Sequence, residues 1–401
     1  MRIGYLVPEF PSQTHIFFWR EVQALRSLGE SIFLLSTRRP PSQACRHEFA
    51  PSARAETRYL FPPHISNLRR WVFEGCPGLS PALAYRNQMK IVGAKDRVRQ
   101  HILLLCAIDL LMWAREHQID HIHGHSCADS AHILALARRA GGPPYSLTLH
   151  GDLDVYGTDH KLKMAQAAFI CAVGDHLRQQ ILKQASVPSD RVLVTCMGVD
   201  TPRLKRLGRE RSYQKDSLNL VTVARLDQVK GHFYAIAAIR RAVDLGLNIR
   251  YTIAGAGPFG DAIVSRIREL GLDQYISLTG TLSENDVFSL LSQADAFVLP
   301  STGSGEAWPV SVMEAMGAGL PVIASIIGAT PQMITSAVDG FLVPQKDEEA
   351  IFDRIALLAR DIETRQRIGQ AARLTAARCF DVATTAKRLR DAIQTSHNWA
   401  I

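Results

Sequence analysis

Two rhythms alternate along the chain. Short apolar runs rich in Val, Ile and Leu, bounded by Gly, Pro, Asp or Ser, predict buried strands; longer segments with a helical period separate them. In the first half the runs Arg2–Val7, Ser31–Ser36, Ile119–His123, Tyr145–Leu149, Ala168–Val173 and Val192–Thr195 read as strands. Ile16–Leu28 and Ser130–Arg139 read as helices. Residues 38–100 hold several prolines and no clear period, and read as irregular. Residues 202–217 (PRLKRLGRERSYQKDS) are polar and charged, which predicts a linker. Beyond it the alternation restarts, with strands expected at Leu218–Ala224, Arg250–Ala254, Tyr275–Leu278, Ala296–Leu299, Val322–Ala324 and Phe341–Val343. Helices are expected at His232–Leu245, Ala262–Leu270, Glu284–Gln293 and Val310–Met316, with a last helical segment from about Ala383.

Strands alternating with helices predict parallel sheets covered on both faces. The fold class is therefore α/β, with two doubly wound, Rossmann-like domains over 1–203 and 204–382. The helix over about 383–401 is expected to pack back on the first domain. Two such domains are expected to face a central cleft, with ligands at the carboxyl ends of both sheets.

Composition refines this reading only in part. Apolar residues make up 47% of the 401 and charged residues 21%, the balance of a globular protein. The opening MRIGYLVPEF reaches Pro8 and Glu9 too early for a signal-peptide core, and the run Ile102–Trp113 is short and broken by Asp109. These features predict a cytoplasmic protein. Seven scattered cysteines without a CxxC pair predict reduced thiols rather than disulfides or a zinc cluster. The net charge of +8 is concentrated over residues 38–99, where 12 Lys or Arg face 4 Asp or Glu. A solvated basic face explains that excess, as does attraction to an anionic membrane surface or a pyrophosphate-bearing acceptor. No nucleic-acid motif accompanies it.

The chemistry-bearing residues cluster at predicted strand ends. In SGEAWPVSVMEAMGAGLPVIAS (304–325), Glu306 lies in the loop after a strand, Pro309 opens a helix through Val310, and Glu314 lies about a turn inside. A helix start offers backbone N–H groups and a positive dipole end to a diphosphate, and the two carboxylates can accept hydrogen bonds from hydroxyls. The bland reading is a surface Glu and a helix-start Glu. In VTVARLDQVKGH (221–232), Arg225 and Lys230 follow a strand and can neutralise a leaving diphosphate; the alternative is an ordinary basic loop. TIAGAGP (252–258) is a weak dinucleotide fingerprint, yet Gly255 and Gly257 suit a tight turn that a nucleotide can approach. His150, in YSLTLHGDLDVYG (145–157), follows a strand of the first domain and would enter the cleft from its other wall, although a lone His at a strand end is more often structural. His121, His123 and His125 alternate and share a strand face, but no acidic or thiolate partner at metal spacing follows, so no metal site is expected.

The order HG (150–151), VARLDQVKG (223–231), IAGAGP (253–258), LTG (278–280) and E-x7-E within 304–325 resembles retaining glycosyltransferases of family 4, which have the GT-B fold. The likeness covers nearly the whole chain. The opening YLVPEFPSQTHIFFWREVQAL resembles the exopolysaccharide, colanic-acid-type branch, where an FPS loop replaces a Gly-Gly loop. The resemblance implies a hexosyltransferase, retaining and metal-independent, that uses a UDP- or GDP-sugar and a glycan or lipid-linked acceptor. It makes the first domain acceptor-binding and the second donor-binding. It implies a catalytic set of His150, Glu306, Arg225 and Lys230. Donor binding would fall to Arg225, Lys230, Gly255, Gly257, Thr281, Glu306, Pro309, Val310 and Glu314. Of these, Arg225 and Lys230 would hold the diphosphate, Glu306 the sugar hydroxyls beside the anomeric carbon, and Glu314 the ribose. His150 would touch the donor sugar, and Ser12, Gln13 and Thr14 would lie under the phosphates. The family's GGxPE block reads GATPQ here, with Gln332 in place of the acid. The expected partners are the nucleotide sugar, an acceptor of anionic character and the inner membrane surface, with no cofactor and no nucleic acid. The competing functions are a GT-B sugar-nucleotide epimerase and a non-catalytic two-domain sugar-binding protein.

Overall fold

The computed structural model describes residues 1–207, 217–303 and 306–398. The chain divides into two compact units, Met1–Cys196 with Thr385–Ile401, and Met197–Thr384. The division falls at 196/197, a few residues before the break expected at 203/204.

The first unit is built on seven parallel strands: β1 (Arg2–Glu9), β2 (Ser31–Arg38), β3 (Arg58–Tyr59), β4 (His121–Gly124), β5 (Tyr145–Leu149), β6 (Ile170–Ala172) and β7 (Val192–Val194). Their order is β3-β2-β1-β4-β5-β6-β7. The direction of winding reverses between β1 and β4, and the loops after these strands border the crevice where such folds place ligands. The helix Ile16–Ser27 lays Phe18, Val22 and Leu25 on Ile3, Tyr5 and Val7. The terminal helix Val382–Asn398 adds Ala386, Leu389 and Ile393 to the same core. Complete burial of its Leu and Ile contributes about 1.5–3 kcal/mol each. Gln394 also donates from Nε2 to Glu30 at 3.1 Å.

The second unit carries six parallel strands: β8 (Ser217–Val223), β9 (Asn248–Ala254), β10 (Ile276–Gly280), β11 (Ala296–Leu299), β12 (Val322–Ser325) and β13 (Phe341–Val343). Their order is β10-β9-β8-β11-β12-β13, with the reversal between β8 and β11. Leu220, Ile249, Ile253, Val298 and Ile323 form its centre with Ile236, Ile239 and Ile355 from covering helices.

Two expectations are corrected. Residues 38–100 are not irregular: helices form at Ala50–Glu56, Ile65–Phe73 and Leu79–Arg86, and a long one starts at Ala94 and runs to Glu116. Asp109, which interrupts the apolar run Ile102–Trp113, lies within that last helix. Its buried carboxylate accepts from Arg58 and from Asn67, both at 2.7 Å to Oδ1, while His64 Nδ1 lies 3.1 Å from Oδ2. The expected linker begins inside the helix Thr201–Leu207, anchored by buried Leu204. Residues 208–216 of that linker, like Ser304 and Gly305, lie outside the described residues. Cys45, Cys106, Cys127 and Cys171 are buried thiols. Among the described residues, no helix is long and apolar enough to cross a membrane.

Candidate functional site

In the second unit, four loops meet at the carboxyl ends of β8, β9, β11 and β12. Arg225 follows β8, and a short 3-10 turn over Gln228–Lys230 brings Lys230 to the start of the helix His232–Asp244. Asp227 caps that turn. Thr302 N donates to Val229 O at 2.7 Å, tying the loop after β8 to the loop after β11. This junction brings Lys230 Nζ to 2.5 Å from Glu306 Oε2, and the same oxygen accepts from Ser301 Oγ at 2.8 Å. Both partners of this ion pair are largely buried, so it is screened less than a surface pair.

The arrangement rests on glycine. A Cβ on Gly328 would collide with the Glu306 carbonyl, and Ala329 N donates to Ala307 O at 3.0 Å. The GATPQ block thus seats the backbone of Glu306, whatever the residue at 332. Gly255 and Gly257 pass so close to the carbonyls of Ala224 and Leu226 that neither admits a side chain. Gly255 has φ +151°, and its N–H donates to Gly280 O at 2.8 Å. Thr281 follows directly, at the end of β10.

Arg225 is the exposed cation of the site, 60% accessible and 3.7 Å from Asp227. Its backbone carbonyl is held by buried His232 through Nε2 at 3.1 Å. Burial lowers the His232 pKa, with the bond to Arg225 O opposing, so a neutral ring holds the loop. Pro309 is the N-cap of the helix Val310–Gly317 and supplies no side-chain cap, which leaves the first turn's dipole end for another partner. Glu314 is buried inside that helix.

In the first unit, Ser12–Thr14 connect β1 to the helix Ile16–Ser27. Gln13 is occupied: its Oε1 accepts from Arg46 N at 2.9 Å, and its Nε2 lies 3.2 Å from His47 Nε2. Thr14 is exposed and Ser12 half-buried. His150 follows β5, and its N–H donates to the Tyr156 hydroxyl at 2.9 Å. His121 and His123 both meet the Ser146 hydroxyl at 2.7 Å, and His123 also meets Thr148 at 2.9 Å. Pairing of β4 with β5 thus matches the histidines to hydroxyls. Among the described residues, no group of three or more His, Cys, Asp or Glu is arranged to hold a metal ion.

Comparison with known proteins places this geometry. The family descriptions "Glycosyltransferase Family 4" and "Glycosyl transferases group 1" match residues 71–203 and 209–375. The chain belongs to glycosyltransferase family 4. This glycosyltransferase is 25% identical to the putative colanic acid biosynthesis glycosyltransferase WcaL of Salmonella typhimurium, over 98% of this chain and 100% of the relative. It is 31% identical to the amylovoran biosynthesis glycosyltransferase AmsK of Erwinia amylovora, over 50% of this chain and 49% of that one. In fold it resembles a glycosyltransferase of Rickettsia africae (TM-score 0.75, 15% identity, 98% of each chain). It also resembles Anabaena HepE in complex with UDP (TM-score 0.74, 16% identity, 98% and 100%). The fold class is GT-B, with two parallel-sheet Rossmann-like domains.

The sequence motifs thus contain the principal polar residues of the second unit's site. They do not single out Ser301 or His232, although His232 closes the quoted segment 221–232 and Ser301 stands between the expected strand Ala296–Leu299 and the segment 304–325. Tyr5 and Glu21, which share a hydrogen bond at 2.6 Å, lie within the quoted opening segment, which assigns them no role.

Proposed function

We propose that this glycosyltransferase moves a hexose from a UDP- or GDP-sugar to a glycan or lipid-linked acceptor during exopolysaccharide synthesis, with retention at the anomeric carbon and without a metal. The observation that carries the reading is the Lys230–Glu306 pair beside the exposed Arg225 at the β8/β11 reversal. Such a pair places a cation for the leaving diphosphate and a carboxylate for the sugar on one rigid edge. The colanic acid and amylovoran biosynthesis roles that WcaL and AmsK are named for support the polysaccharide class, and UDP in HepE supports the donor class.

In the proposed reaction the bond from the anomeric carbon to the diphosphate oxygen breaks. The acceptor oxygen bonds to the same face, and its proton passes to the departing phosphate. Lys230 has three N–H donors, one directed at Glu306, leaving two for phosphate oxygens as charge develops there. Arg225 adds a fork-shaped contact. The Glu306 carboxylate accepts from ring hydroxyls and favours the positive charge that builds on the sugar. Glu314 is assigned to the ribose and His150 to a sugar hydroxyl. Neither glutamate need bond covalently to the sugar. The test is transfer in excess EDTA, with product configuration followed by proton NMR. A product retaining the donor's configuration supports the reading; inversion, or activity that returns only with a divalent ion, overturns it.

A second observation bears on where the acceptor is met. On the helix Ile65–Phe73, Asn67 and Trp71 face inward, while Ile65, Arg69, Val72 and Phe73 share the exposed side, with Phe73 90% accessible. Val92 and Val98 are also exposed, among Lys90, Lys95 and Arg97. Apolar side chains set among cations suit an anionic bilayer, at about 1 kcal/mol per basic residue near the surface. Sedimentation with vesicles containing an anionic lipid is expected, and Phe73→Ser with Arg69→Glu is expected to reduce it severalfold. Equal binding by both proteins would remove the bilayer from the account.

A further inference from the structure

His150 enters the proposed reaction from a loop, and a loop holds a side chain only as firmly as its own backbone is held. The loop after β5 (150–157) carries His150. The loop after β4 carries His125, whose Nδ1 lies 3.1 Å from His150 Nε2. A side chain outside both loops joins them. Lys163, on the short helix His160–Met164, is 1% exposed. Its Nζ donates to Cys127 O in the loop after β4 at 2.5 Å, and to Tyr156 O in the loop after β5 at 3.0 Å. Tyr156 continues the connection, because its hydroxyl accepts from the His150 N–H at 2.9 Å.

We propose that Lys163 is a positioning residue for His150: it pins the loops after β4 and β5 to each other and, through Tyr156, fixes the backbone that delivers the His150 ring. A carbonyl only accepts, so two carbonyls turned inward from neighbouring loops need a donor between them. The lysine amino group has three N–H donors when protonated and two when neutral, so it can serve both carbonyls in either state. Burial lowers the Lys163 pKa, with Cys127 and then Asp159 opposing, and neither protonation state breaks the connection.

The local fold brings the lysine to this place. Gly157 (φ +78°) and Asp159 (φ +65°) both take left-handed backbone, which turns the chain sharply between Tyr156 and the helix His160–Met164. Tyr145, at the start of β5, donates its hydroxyl to Lys163 O at 2.6 Å, so the backbone of the lysine is tied to the sheet. The middle of the loop after β5 has a separate hold: Gln180 accepts from Leu153 N at 3.1 Å and donates to Asp152 at 2.9 Å. Lys163 and Tyr156 act at the end where His150 stands.

The first test needs no substrate and is amide hydrogen exchange of the full chain, read by mass spectrometry. Lys163→Met keeps an unbranched side chain and removes every N–H donor. It is expected to speed exchange severalfold in peptides covering 125–128 and 150–157, with β1 and β2 of the same unit unchanged. Unchanged exchange in the two loops overturns the proposal. Acceleration across the whole unit assigns Lys163 to the fold at large and overturns it as well. Tyr156→Phe removes a single oxygen and keeps the test open where Lys163→Met does not fold. It is expected to speed exchange in 150–157 and leave 125–128 as in the wild type; no change in 150–157 overturns the link through Tyr156.

The kinetic test rests on the proposed role of His150 at the sugar. With nucleotide affinity unchanged within a few-fold, Lys163→Met is expected to lower kcat by about 10–100-fold, the scale of misplacing a contact from outside the chemistry. Added to His150→Ala, the same substitution is expected to lower kcat by no more than about twofold further, because its effect passes through His150. Equal losses in the two backgrounds would show that Lys163 acts by another route and overturn its positioning role. If the loops open locally in Lys163→Met while the wild type transfers sugar from no nucleotide sugar, the proposed function fails and the connection between the loops stands.

Discussion

Asp109→Ala is expected to destabilise the first unit by about 3–5 kcal/mol, the range for breaking a buried ion pair by removing one partner. The carboxylate is fully buried at the centre of a long helix and holds together three segments: Arg58 on β3, His64 before the helix Ile65–Phe73, and Asn67 within it. Removing it leaves the Arg58 guanidinium without its counter-charge. It also leaves the Asn67 amide with only the weaker bond to the Asp109 carbonyl at 3.3 Å. Asp109→Asn retains shape and one acceptor and is expected to cost less, about 1–3 kcal/mol. Denaturant unfolding followed by tryptophan emission reads this unit, because Trp113, on the same helix as Asp109, lies beside Arg58 of β3. A midpoint shift worth under about 1 kcal/mol for Asp109→Ala would show that the segments are held by apolar packing instead.

This cluster also shows where the sequence could be read and where it could not. The strands were legible because a strand in a parallel sheet is buried on both faces and appears as an unbroken apolar run between turn residues. Tyr145–Leu149, Ala296–Leu299 and Phe341–Val343 form as expected, residue for residue. Residues 38–100 obscured the period because their helices are short, and one of them inverts the usual pattern. In Ile65–Phe73 the buried face includes Asn67, while Phe73 is exposed. That inversion has meaning only once Asp109, 42 residues later, supplies the partner. The helix Thr201–Leu207 was hidden for a simpler reason: of its apolar side chains, Leu204 is the one that is fully buried.

Site residues divide in the same way. Arg225, Lys230 and Glu306 were legible because each lies just beyond a strand, where the fold delivers side chains to a ligand edge. The direct bond between Lys230 and Glu306, 76 residues apart, follows from the adjacency of β8 and β11, which the sequence does not state. His125 seemed one of three alternating histidines on a strand. In the structure β4 ends at Gly124, so His125 leaves the hydroxyl-paired row of His121 and His123 and turns to Glu21 and His150.

Glu306→Gln is the other substitution of large effect, and it separates binding from chemistry. Gln keeps the length and one acceptor of Glu, so Ser301 retains a partner and the loop seated on Gly328 is undisturbed. The negative charge is lost, and with it the counter-ion of Lys230. A freed Lys230 ammonium remains available to a diphosphate, so nucleotide affinity should change by no more than a few-fold. The transition state loses more, because a fixed carboxylate beside developing positive charge acts chiefly there. The expected fall in kcat is about 10²–10³-fold, the scale of removing one pre-positioned electrostatic contact.

The decisive measurement is calorimetric titration of UDP and GDP into the wild type and Glu306→Gln in EDTA, paired with turnover of the corresponding labelled sugar nucleotide. The account predicts that one nucleotide binds both proteins with similar affinity while only the wild type transfers sugar at an appreciable rate. Loss of nucleotide binding together with turnover would make Glu306 a binding or folding residue. Unchanged turnover would remove it from the reaction.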